Sequence, residues 1–359
     1  MDFSLITAPL LRWYDENRRD LPWRRNTDPY RIWVSEIMLQ QTRVTAVIPY
    51  FERWMEALPD VSALAGVDEE TLMKLWQGLG YYSRARNLQK AARLIVSEHG
   101  GQFPDTYDAL LQLPGVGEYT AGAVASIAFS RPVSAVDGNA LRIAARVGNI
   151  HEDILDARVK KTMRAALDRA VSPDRPGDFN QAMMDLGATV CLPNGKPLCQ
   201  ACPLAQLCAA KRLGTEQTLP VRAKKNARRI EELTVFLLIR ENAVALRKRG
   251  EEGLLAGLWE FPNTASMQDE KDAGAVLSSW GLTARDWKKK IAAKHIFTHV
   301  EWHMTGYLIR VTGEGASDFV WVDRKTLDSL AVPGAFKKYL TECMNALGEQ
   351  EREDGKAAF

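Results

Sequence analysis

The spacing of apolar residues divides the chain into two parts of different character. In residues 1–213, apolar positions recur three and four residues apart in segments interrupted by Gly, Pro or Asp, which is typical of amphipathic helices with short connections. This pattern predicts an all-α domain of about a dozen helices. The predicted helices cover residues 4–17, 30–42, 44–56, 61–65, 69–77, 83–98, 106–112, 118–129, 138–146, 156–171, 176–188 and 203–209.

After residue 232 the pattern changes to short runs of β-branched and aromatic residues between turn signals, which predict strands. A second domain of the α+β class is therefore expected at 233–347. Its predicted strands are 233–239, 243–247, 303–311 and 319–322, and its predicted helices are 269–281, 325–330 and 335–347. The charged segment 348–359 is expected to be a disordered tail.

A basic segment separates the two predicted domains at residues 214–232. Five of the nine residues at 221–229 are Lys or Arg, and none is acidic. One interpretation is a solvated linker, and the other is a strap that contacts the backbone of a nucleic acid.

Length and composition fit a two-domain intracellular protein. The 359 residues exceed one ordinary core, and a net charge of +2 means that any nucleic-acid-binding surface must come from local clustering. Basic residues follow the apolar part of the N-terminus, the wrong order for a secretory signal, and no apolar run is long enough to span a membrane. A cytoplasmic protein is expected, associated with the nucleoid if the cell is bacterial.

Residues 113–139 combine a candidate anion site with a carboxylate. The turn Gly115-Val116-Gly117 runs directly into a helix of small residues, and backbone N–H groups exposed at such a helix start can bind phosphate. Asp137 follows downstream in a Val-Asp-Gly-Asn setting. This stretch therefore predicts a phosphate-binding turn close to the carboxylate of Asp137.

A second carboxylate lies on the helix predicted at 30–42. Its neighbours on one helix face share an apolar character: Trp33, Ile37 and the stem of Gln40. A carboxyl in that stripe, Glu36, would lose hydration, and its raised pKa would suit a general acid near neutral pH. The alternative is an acid at the edge of the stripe, paired with Arg31 or Arg43.

Two further segments carry side chains suited to DNA bases. Residues 40–42 are polar and uncharged, which suits hydrogen bonding to base edges. The alternative is ordinary capping of the helix end. Residues 78–86 place two tyrosines and two arginines after a Gly turn, a mixture suited to wedging between bases. The alternative there is a pair of core tyrosines.

Four of the five cysteines lie within 18 residues. Their spacing is Cys191-x7-Cys199-x2-Cys202-x5-Cys208, and in an intracellular chain such clustering favours a metal site over disulfides. Four thiolates could hold one iron–sulfur cluster or one zinc ion, and the spacing does not separate the two. Cys343 stands apart and is expected to be buried as a small apolar residue.

Taken together, these motifs resemble the endonuclease III superfamily of base-excision DNA glycosylases, and within it the MutY family of adenine glycosylases. Residues 106–129 resemble a helix–hairpin–helix element, and the family pattern is matched strongly at 20–50, 77–84 and 135–139. The second domain resembles the MutT-like, or Nudix-like, recognition domain of that family, so the resemblance extends to about residue 347. It implies an all-α helix–hairpin–helix glycosylase domain with a [4Fe–4S] loop at 191–208, followed by an α+β Nudix-like domain.

The resemblance implies base-excision repair: removal of adenine paired with 8-oxoguanine or guanine in double-stranded DNA. Glu36 would protonate adenine N7, and Asp137 would stabilise the oxocarbenium-like sugar or bond to it transiently. Tyr119 and Asn139 would support Asp137 and the cation. Bifunctional relatives carry a nucleophilic lysine where Tyr119 stands, and a tyrosine cannot form a Schiff base. Base removal without efficient strand cleavage is therefore implied.

The same resemblance assigns residues to the DNA, the lesion and a cofactor. The adenine pocket would contain Trp23 and Arg24. The opposite 8-oxoguanine, and the space that the flipped adenine leaves in the duplex, would be contacted by Leu39, Gln41, Thr42 and Tyr81. The DNA backbone would contact Gly115, Val116 and Gly117, and the [4Fe–4S] cluster would be held by Cys191, Cys199, Cys202 and Cys208. In the second domain the lesion-sensing loop would be Phe297, Thr298 and His299.

Two positions depart from the family pattern. The first cysteine gap has seven residues instead of the usual six, so the loop must bulge by one residue. The sensing loop has Thr298 where the family usually has serine. Threonine keeps the hydroxyl that could bond to the damaged base, but its extra methyl group could alter the fit.

Three other functions were weighed against this one. A Nudix-type hydrolase is disfavoured because the segment 253–262 is not followed by the carboxylate array that would bind Mg²⁺. A non-enzymatic iron–sulfur DNA-binding protein is disfavoured by the retention of Glu36 and Asp137. A bifunctional pyrimidine glycosylase/lyase is disfavoured by Tyr119 and by the second domain. The protein is expected to be a monomer, with the linker and tail as places where clamp or mismatch-repair proteins could bind.

Overall fold

The computed structural model describes residues 2–223 and 227–357, with side chains up to residue 349. The chain divides into two compact units, Met1–Val67 with Ser83–Lys224 and Asp68–Tyr82 with Lys225–Phe359. The sequence pattern did not indicate that 68–82 belongs with the second unit. Part of the expected linker, residues 224–226, lies outside the described residues. No described helix combines the length and apolar character needed to cross a membrane.

Helices alone make up the regular structure of the described chain as far as residue 213, which confirms the all-α prediction. These helices are numbered α1 to α12 in chain order, and α5 belongs to the second unit. Their bounds are Thr7–Asn17, Pro29–Leu39, Val44–Ala57, Val61–Gly66, Glu69–Trp76, Ser83–His99, Tyr107–Leu111, Glu118–Phe129, Gly138–Val147, Ala157–Asp168, Pro176–Thr189 and Ala209–Leu213. The helix predicted at 203–209 is absent: turns occupy 203–207, where the chain wraps around a cavity lined by cysteines.

Helix α2 lies at the centre of the first unit. The Asp28 side chain caps it by accepting a hydrogen bond from the Tyr30 amide (2.9 Å), and Pro29 occupies the first helical position. Because α2 packs against both α3 and α8, every residue from Tyr30 to Met38 except Arg31 is buried. The predicted apolar stripe therefore understated its burial. The helix ends at Leu39, short of the predicted end at 42, and Gln41 adopts a positive φ of 58°.

Close packing of α8 brings the segment that follows it back toward the same core. A Cβ on Gly122 would lie 2.5 Å from the carbonyl oxygen of Ser134, so only glycine permits this approach. The returning segment ends at Asp137, which caps α9. Helix α11 packs against α1, α8 and α9, and it closes a core that includes Leu10, Ile143 and Phe179.

The second unit contains a seven-stranded sheet, confirming the α+β prediction. The strands are β1 Arg229–Arg240, β2 Ala243–Lys248, β3 Trp259–Glu260, β4 Asn263–Thr264, β5 Leu282–Ile296, β6 Val300–Gly313 and β7 Val320–Val322. Three helices accompany them: α13 Glu270–Ser279, α14 Arg324–Ser329 and α15 Lys337–Ala357. The strand order is β3-β2-β1-β6-β5, with β4 also paired to β1 and β7 to β2.

Pairing in the sheet places a core on each face. Strands β1 and β6 run parallel, with Leu233 opposite Met304, whereas β5 runs antiparallel to β6. One core contains Phe336 and Tyr339, and the other contains Leu277 of α13. Both faces are therefore covered over the middle of the sheet.

Several elements of this unit differ from the sequence expectation: the short strands β3 and β4 were not predicted, and β5 and α15 differ more widely. Strand β5 was not predicted, because residues 288–290 are three consecutive lysines that interrupt any alternation of apolar and polar positions; such lysines are common on edge strands, which they protect from pairing with other chains. Helix α15 runs to Ala357 instead of ending at 347. Its last turns are rich in Glu, Gln, Lys and Arg, which extend a helix that is already nucleated. Residues 358–359 of the expected tail lie outside the described residues.

Candidate active site

Three predicted catalytic side chains line one pocket of about 170 Å³ in the first unit: Glu36, Tyr119 and Asp137. They come from α2, from the first turn of α8 and from the residue that caps α9. Five more predicted residues line the same pocket: Trp23, Arg24, Leu39, Thr42 and Asn139. Segments more than a hundred residues apart in sequence therefore meet at one site.

Glu36 is held in an environment that favours its neutral form. Only 4% of the residue is exposed, and this burial raises the pKa of the carboxyl to about 7. A hydrogen bond from the Tyr119 hydroxyl and the charge of Arg24 oppose the rise, while the charge of Asp137 adds to it. The alternative ion pair with Arg31 or Arg43 is not found among the described residues; Arg31 instead lies over the ring of Phe51. Glu36 can therefore be protonated at neutral pH.

Asp137 has a fixed orientation at the start of α9. Its Oδ1 accepts a hydrogen bond from the Ala140 amide (2.8 Å), and its Oδ2 accepts one from Nδ2 of Asn139 (2.6 Å). The protein around it removes hydration, which raises the pKa of Asp137, and these hydrogen bonds act in the opposite direction. The carboxylate is thus aimed into the pocket by the same contact that caps the helix.

Arg142 connects this carboxylate to the cysteine loop. Its guanidinium donates to Oδ1 of Asn139 (2.7 Å), to the carbonyl of Gly187 (2.9 Å) and to the carbonyl of Cys191 (2.8 Å). The residue is 3% exposed. Nothing in the motifs singled out Arg142, although an arginine one turn after the Asp-Gly-Asn motif lies on the face of α9 that carries Asn139.

Two arginines of the pocket lining, Arg19 and Arg24, form ion pairs with the buried Asp185. Arg24 donates two hydrogen bonds to Asp185 (2.7 and 2.9 Å), and Arg19 binds the same carboxylate. Although burial alone would raise it, the pKa of Asp185 is lowered because the hydrogen bonds and charge of Arg24 outweigh that effect. Asp185 carries no local signal in the sequence, because it is a single acid in the middle of α11.

Helix α11 also supplies three pocket residues that carry no motif in the sequence: Gln181, Met184 and Ala188. Oε1 of Gln181 accepts a hydrogen bond from the hydroxyl of Tyr14 (2.9 Å). The sulfur of Met184 lies 3.8 Å from the hydroxyl of Tyr119. Because Gln181 and Met184 are three residues apart on a helix, they lie on the same face of α11. Nothing in the sequence indicates that this face lines the pocket.

The predicted hairpin has the geometry expected of a backbone-binding turn. Gly115 adopts a φ of +76°, and a Cβ at this position would lie 2.6 Å from Cβ of Asn87. Val116 is buried, and Gly117 caps α8 without a side chain. The turn therefore presents backbone at its surface, as an anion-binding element requires.

The four clustered cysteines line one small cavity of about 20 Å³. None forms a disulfide, and Arg146 donates a hydrogen bond to Sγ of Cys191 (3.1 Å). The seven-residue first gap is accommodated by a turn in which Gly195 has a φ of +73°. The four cysteines line the same cavity despite the extra residue. In the described part of the chain, no group of three or more His, Cys, Asp or Glu side chains is arranged to hold a metal ion.

The remaining predicted residues lie elsewhere. Gln41 follows α2 but does not line the pocket. Tyr82 is a core residue, whereas Tyr81 is 46% exposed, so the alternative of two core tyrosines fails for Tyr81. Within the second unit, the hydroxyl of Tyr81 contacts the hydroxyl of Thr298.

The predicted lesion-sensing residues form the turn between β5 and β6. The Phe297 amide donates to the carbonyl of Val300 (2.8 Å), which closes the turn. The ring of Phe297 packs edge-on against Trp302 and His295, with centroids 4.9 and 4.6 Å away. Thr298 and His299 are exposed. The turn therefore has an anchored base and a solvent-exposed tip.

Comparison with known proteins agrees with this architecture. A family model described as HhH-GPD superfamily base excision DNA repair protein matches residues 34–169, and a NUDIX domain model matches residues 234–342. The adenine DNA glycosylase of Homo sapiens is 37% identical over an alignment 405 residues long. The alignment covers 94% of this chain and 74% of the human protein.

Solved structures extend the comparison to the fold of the first unit. A thermostable thymine-DNA glycosylase is 28% identical with a TM-score of 0.53, and the match covers 58% of this chain and 96% of that one. An endonuclease III–DNA complex, 23% identical with a TM-score of 0.51 over 59% of this chain and 96% of that one, shares the fold. The chain therefore belongs to the MutY family of adenine DNA glycosylases.

Proposed function

We propose that this glycosylase removes adenine paired with 8-oxoguanine or guanine in duplex DNA, by hydrolysis of the N-glycosidic bond and without cleaving the strand. The observation that carries the proposal is the buried Glu36, whose pKa of about 7 makes it a proton donor in the pocket that also contains Asp137. Two carboxyl groups with different environments and different roles are the established logic of glycosidic bond hydrolysis.

In the first step, Glu36 donates a proton to N7 of the flipped adenine. Protonation converts a poor leaving group into a better one, and the bonding electrons of the glycosidic bond pass to N9 as the bond breaks. A carboxyl with a pKa near the working pH is well suited to this transfer, because it is substantially protonated and still acidic. Flipping the adenine out of the helix costs a few kcal/mol, which the pocket contacts would offset.

In the second step, Asp137 stabilises the positive charge that develops on the sugar, or bonds transiently to its C1′. The hydrogen bonds from Asn139 and Ala140 hold the carboxylate in place, so no reorganisation is needed when the charge appears. Water then adds its hydroxide to C1′ and releases a proton. The products are free adenine and an abasic site in an intact strand.

Strand cleavage is not expected because the pocket lacks an amine nucleophile. Tyr119 occupies the position of the lysine in bifunctional relatives, and its hydroxyl is engaged with Glu36. No lysine lines the described pocket. Without an amine, the Schiff base that leads to β-elimination cannot form.

The cysteine loop is suited to a [4Fe–4S] cluster. Cys191, Cys199, Cys202 and Cys208 would hold it, and bound iron would stabilise a loop that has little apolar core of its own. Arg142 and Arg146 would then tie the loop to α9, the helix that Asp137 caps. The hairpin at 115–117 would contact the DNA backbone through its exposed N–H groups. Endonuclease III, which shares the fold, is itself known in a complex with DNA.

The second domain would read the base opposite the adenine. Thr298 lies at an exposed turn tip beside Tyr81, and its hydroxyl can bond to groups that distinguish 8-oxoguanine from guanine. A lesion sensor, not a second enzyme, is the proposed role.

A duplex glycosylase assay tests this proposal. Under single-turnover conditions, adenine should be released fastest opposite 8-oxoguanine, more slowly opposite guanine and slowest opposite thymine. The strand should break only after treatment with alkali. An intact 8-oxoguanine:adenine duplex after prolonged incubation would refute the proposal, and strand breaks without alkali would refute its monofunctional part.

A further inference from the structure

The first residues of β1 hold the turn that carries Thr298. The backbone amide of Arg229 donates to the carbonyl of His299 (3.0 Å). The side-chain Nε of Arg228 donates to the carbonyl of Phe297 (3.1 Å). The two carbonyls that flank Thr298 are therefore each bound by one of two consecutive residues.

These two bonds differ in what a substitution would remove. The bond from Arg229 continues the ladder between β1 and β6 and belongs to the backbone, so a side-chain change leaves it intact. The bond from Arg228 belongs to a guanidinium, and a charged donor makes a stronger bond than a neutral one. The Phe297 carbonyl is thus held by a side chain that a substitution can remove.

We propose that Arg228 is a positioning residue for recognition of the base opposite the adenine, because it fixes the backbone on one side of Thr298. This proposal rests on the lesion-reading role of Thr298 set out above. Guanine and its 8-oxo form differ only at N7 and C8, so one hydroxyl can discriminate between them only if its position is well defined. Release of the Phe297 carbonyl would let the tip of the turn rotate, and the Thr298 hydroxyl would then distinguish 8-oxoguanine from guanine less well.

The location of Arg228 gives the proposal a second consequence. Arg228 lies two residues beyond the undescribed stretch 224–226, at the end of the basic segment that joins the domains. The linker and the sensing turn are therefore coupled through a direct contact.

The competing explanation is that Arg228 supplies only positive charge to the DNA backbone. Arg229 provides the matched control, since it carries the same charge on the next residue. Its side chain is 74% exposed and pairs with Glu231, and it makes no side-chain bond to the turn among the described contacts. Loss of either arginine removes one charge, but only loss of Arg228 frees the turn.

The test compares the full-length Arg228→Ala, Arg228→Lys and Arg229→Ala variants with the wild-type protein. The single-turnover rate and the DNA dissociation constant are measured for adenine opposite 8-oxoguanine and opposite guanine. In Arg228→Ala, the preference for 8-oxoguanine should fall about tenfold, in line with loss of a hydrogen bond from a charged donor, while the rate opposite guanine stays near wild type. Arg229→Ala should keep the preference, and Arg228→Lys, which retains a charged donor, should restore part of it.

Each outcome decides the matter. Equal loss of affinity for both duplexes in Arg228→Ala and Arg229→Ala would show a charge effect and overturn the proposal. An unchanged preference in Arg228→Ala would also overturn it. If the wild-type protein itself shows no preference for 8-oxoguanine, then the lesion-reading role has failed, which is distinguishable from failure of the Arg228 proposal.

Discussion

The hydroxyl of Tyr119 donates a hydrogen bond of 2.5 Å to Oε2 of Glu36. Burial raises the pKa of Tyr119 well above its ordinary value, and the charge of Glu36 adds to this effect, so the phenol remains a donor. The bond favours the ionised form of Glu36, whereas burial favours the neutral form and has the larger effect. The proton on Glu36 is therefore available at neutral pH, but the tyrosine limits how firmly it is held.

Replacement of Tyr119 by phenylalanine should raise the pKa of Glu36 further, because the bond that favours the carboxylate is lost. Since Glu36 acts in its protonated form, the wild-type rate of adenine release should fall as pH rises through about 7. In Tyr119→Phe the fall should begin at higher pH. Single-turnover rates from pH 5 to 9 would show this shift.

The control for this profile is Tyr107→Phe, which removes a hydroxyl bonded to Arg164 and far from the pocket lining. The fall in the release rate of Tyr107→Phe at alkaline pH should occur at the same pH as in the wild type. If the release rate of Tyr119→Phe instead begins to fall at a lower pH than in the wild type, the effect assigned to the hydrogen bond from Tyr119 to Glu36 is contradicted.

Glu36→Gln should abolish most activity yet stabilise the fold at alkaline pH. The folded-state pKa of Glu36 is raised from 4.5 to about 7, so the unfolded chain releases this proton first. The wild type therefore loses stability as pH rises from about 4.5 to about 7, and the full loss, roughly 3 kcal/mol, is present above pH 7. Because glutamine cannot ionise, the Glu36→Gln variant does not undergo this loss of stability.

The measurement is the difference in thermal midpoint between Glu36→Gln and the wild type at pH 5 and pH 8. The variant should gain stability mainly at pH 8, and its release rate should fall about a hundredfold or more. Glu52→Gln, at an exposed position on α3, should show neither effect. A variant less stable than wild type at pH 8 would refute the burial argument.

Asp137→Asn should separate chemistry from folding. Asparagine caps helices as well as aspartate does, so α9 should keep its start, while the negative charge that stabilises the sugar cation is lost. The release rate should fall by at least about a hundredfold with DNA affinity nearly unchanged. Asp156→Asn, a substitution at the cap of α10, is the matched control and should leave the rate intact. A near-wild-type rate in Asp137→Asn would remove Asp137 from its role.

Gly187→Ala should impair catalysis from outside the pocket. The added Cβ would lie 2.5 Å from Cβ of Asn139 and 2.8 Å from its Oδ1, so Asn139 must move and release Oδ2 of Asp137. A displacement of about 1 Å in a catalytic constellation can cost a hundredfold in rate, and a loss of about that size is expected.

Gly66→Ala is the control for Gly187→Ala, since a Cβ at position 66 meets nothing within 4 Å. Single-turnover rates and circular dichroism of both variants would separate a local displacement from unfolding. Equal rates in Gly187→Ala and the wild type would show that the Asn139 contact does not orient Asp137.

Local signals in the sequence predicted most of the first unit and the components of its site. The Gly115–Gly117 turn and the Asp137 motif depend on contacts within a few residues, and the structure has them where the sequence placed them. Glu36 was also identified locally, although the choice between a desolvated acid and an ion-paired one needed the neighbouring helices α3 and α8. Asp185 and Arg142 escaped because their partners, Arg24 and the Cys191 carbonyl, lie far away in sequence.

The sequence by itself determined the helical and strand-rich halves, the two carboxylates, the four clustered cysteines and the tyrosine that replaces a lysine. Each of these follows from residue identity or from spacing within one element. The tertiary structure decided the protonation of Glu36, the orientation of Asp137, the edge strand β5 and the hold of Arg228 on the Phe297 carbonyl. The physical reason is that desolvation and hydrogen bonding at these positions come from groups brought together only by folding.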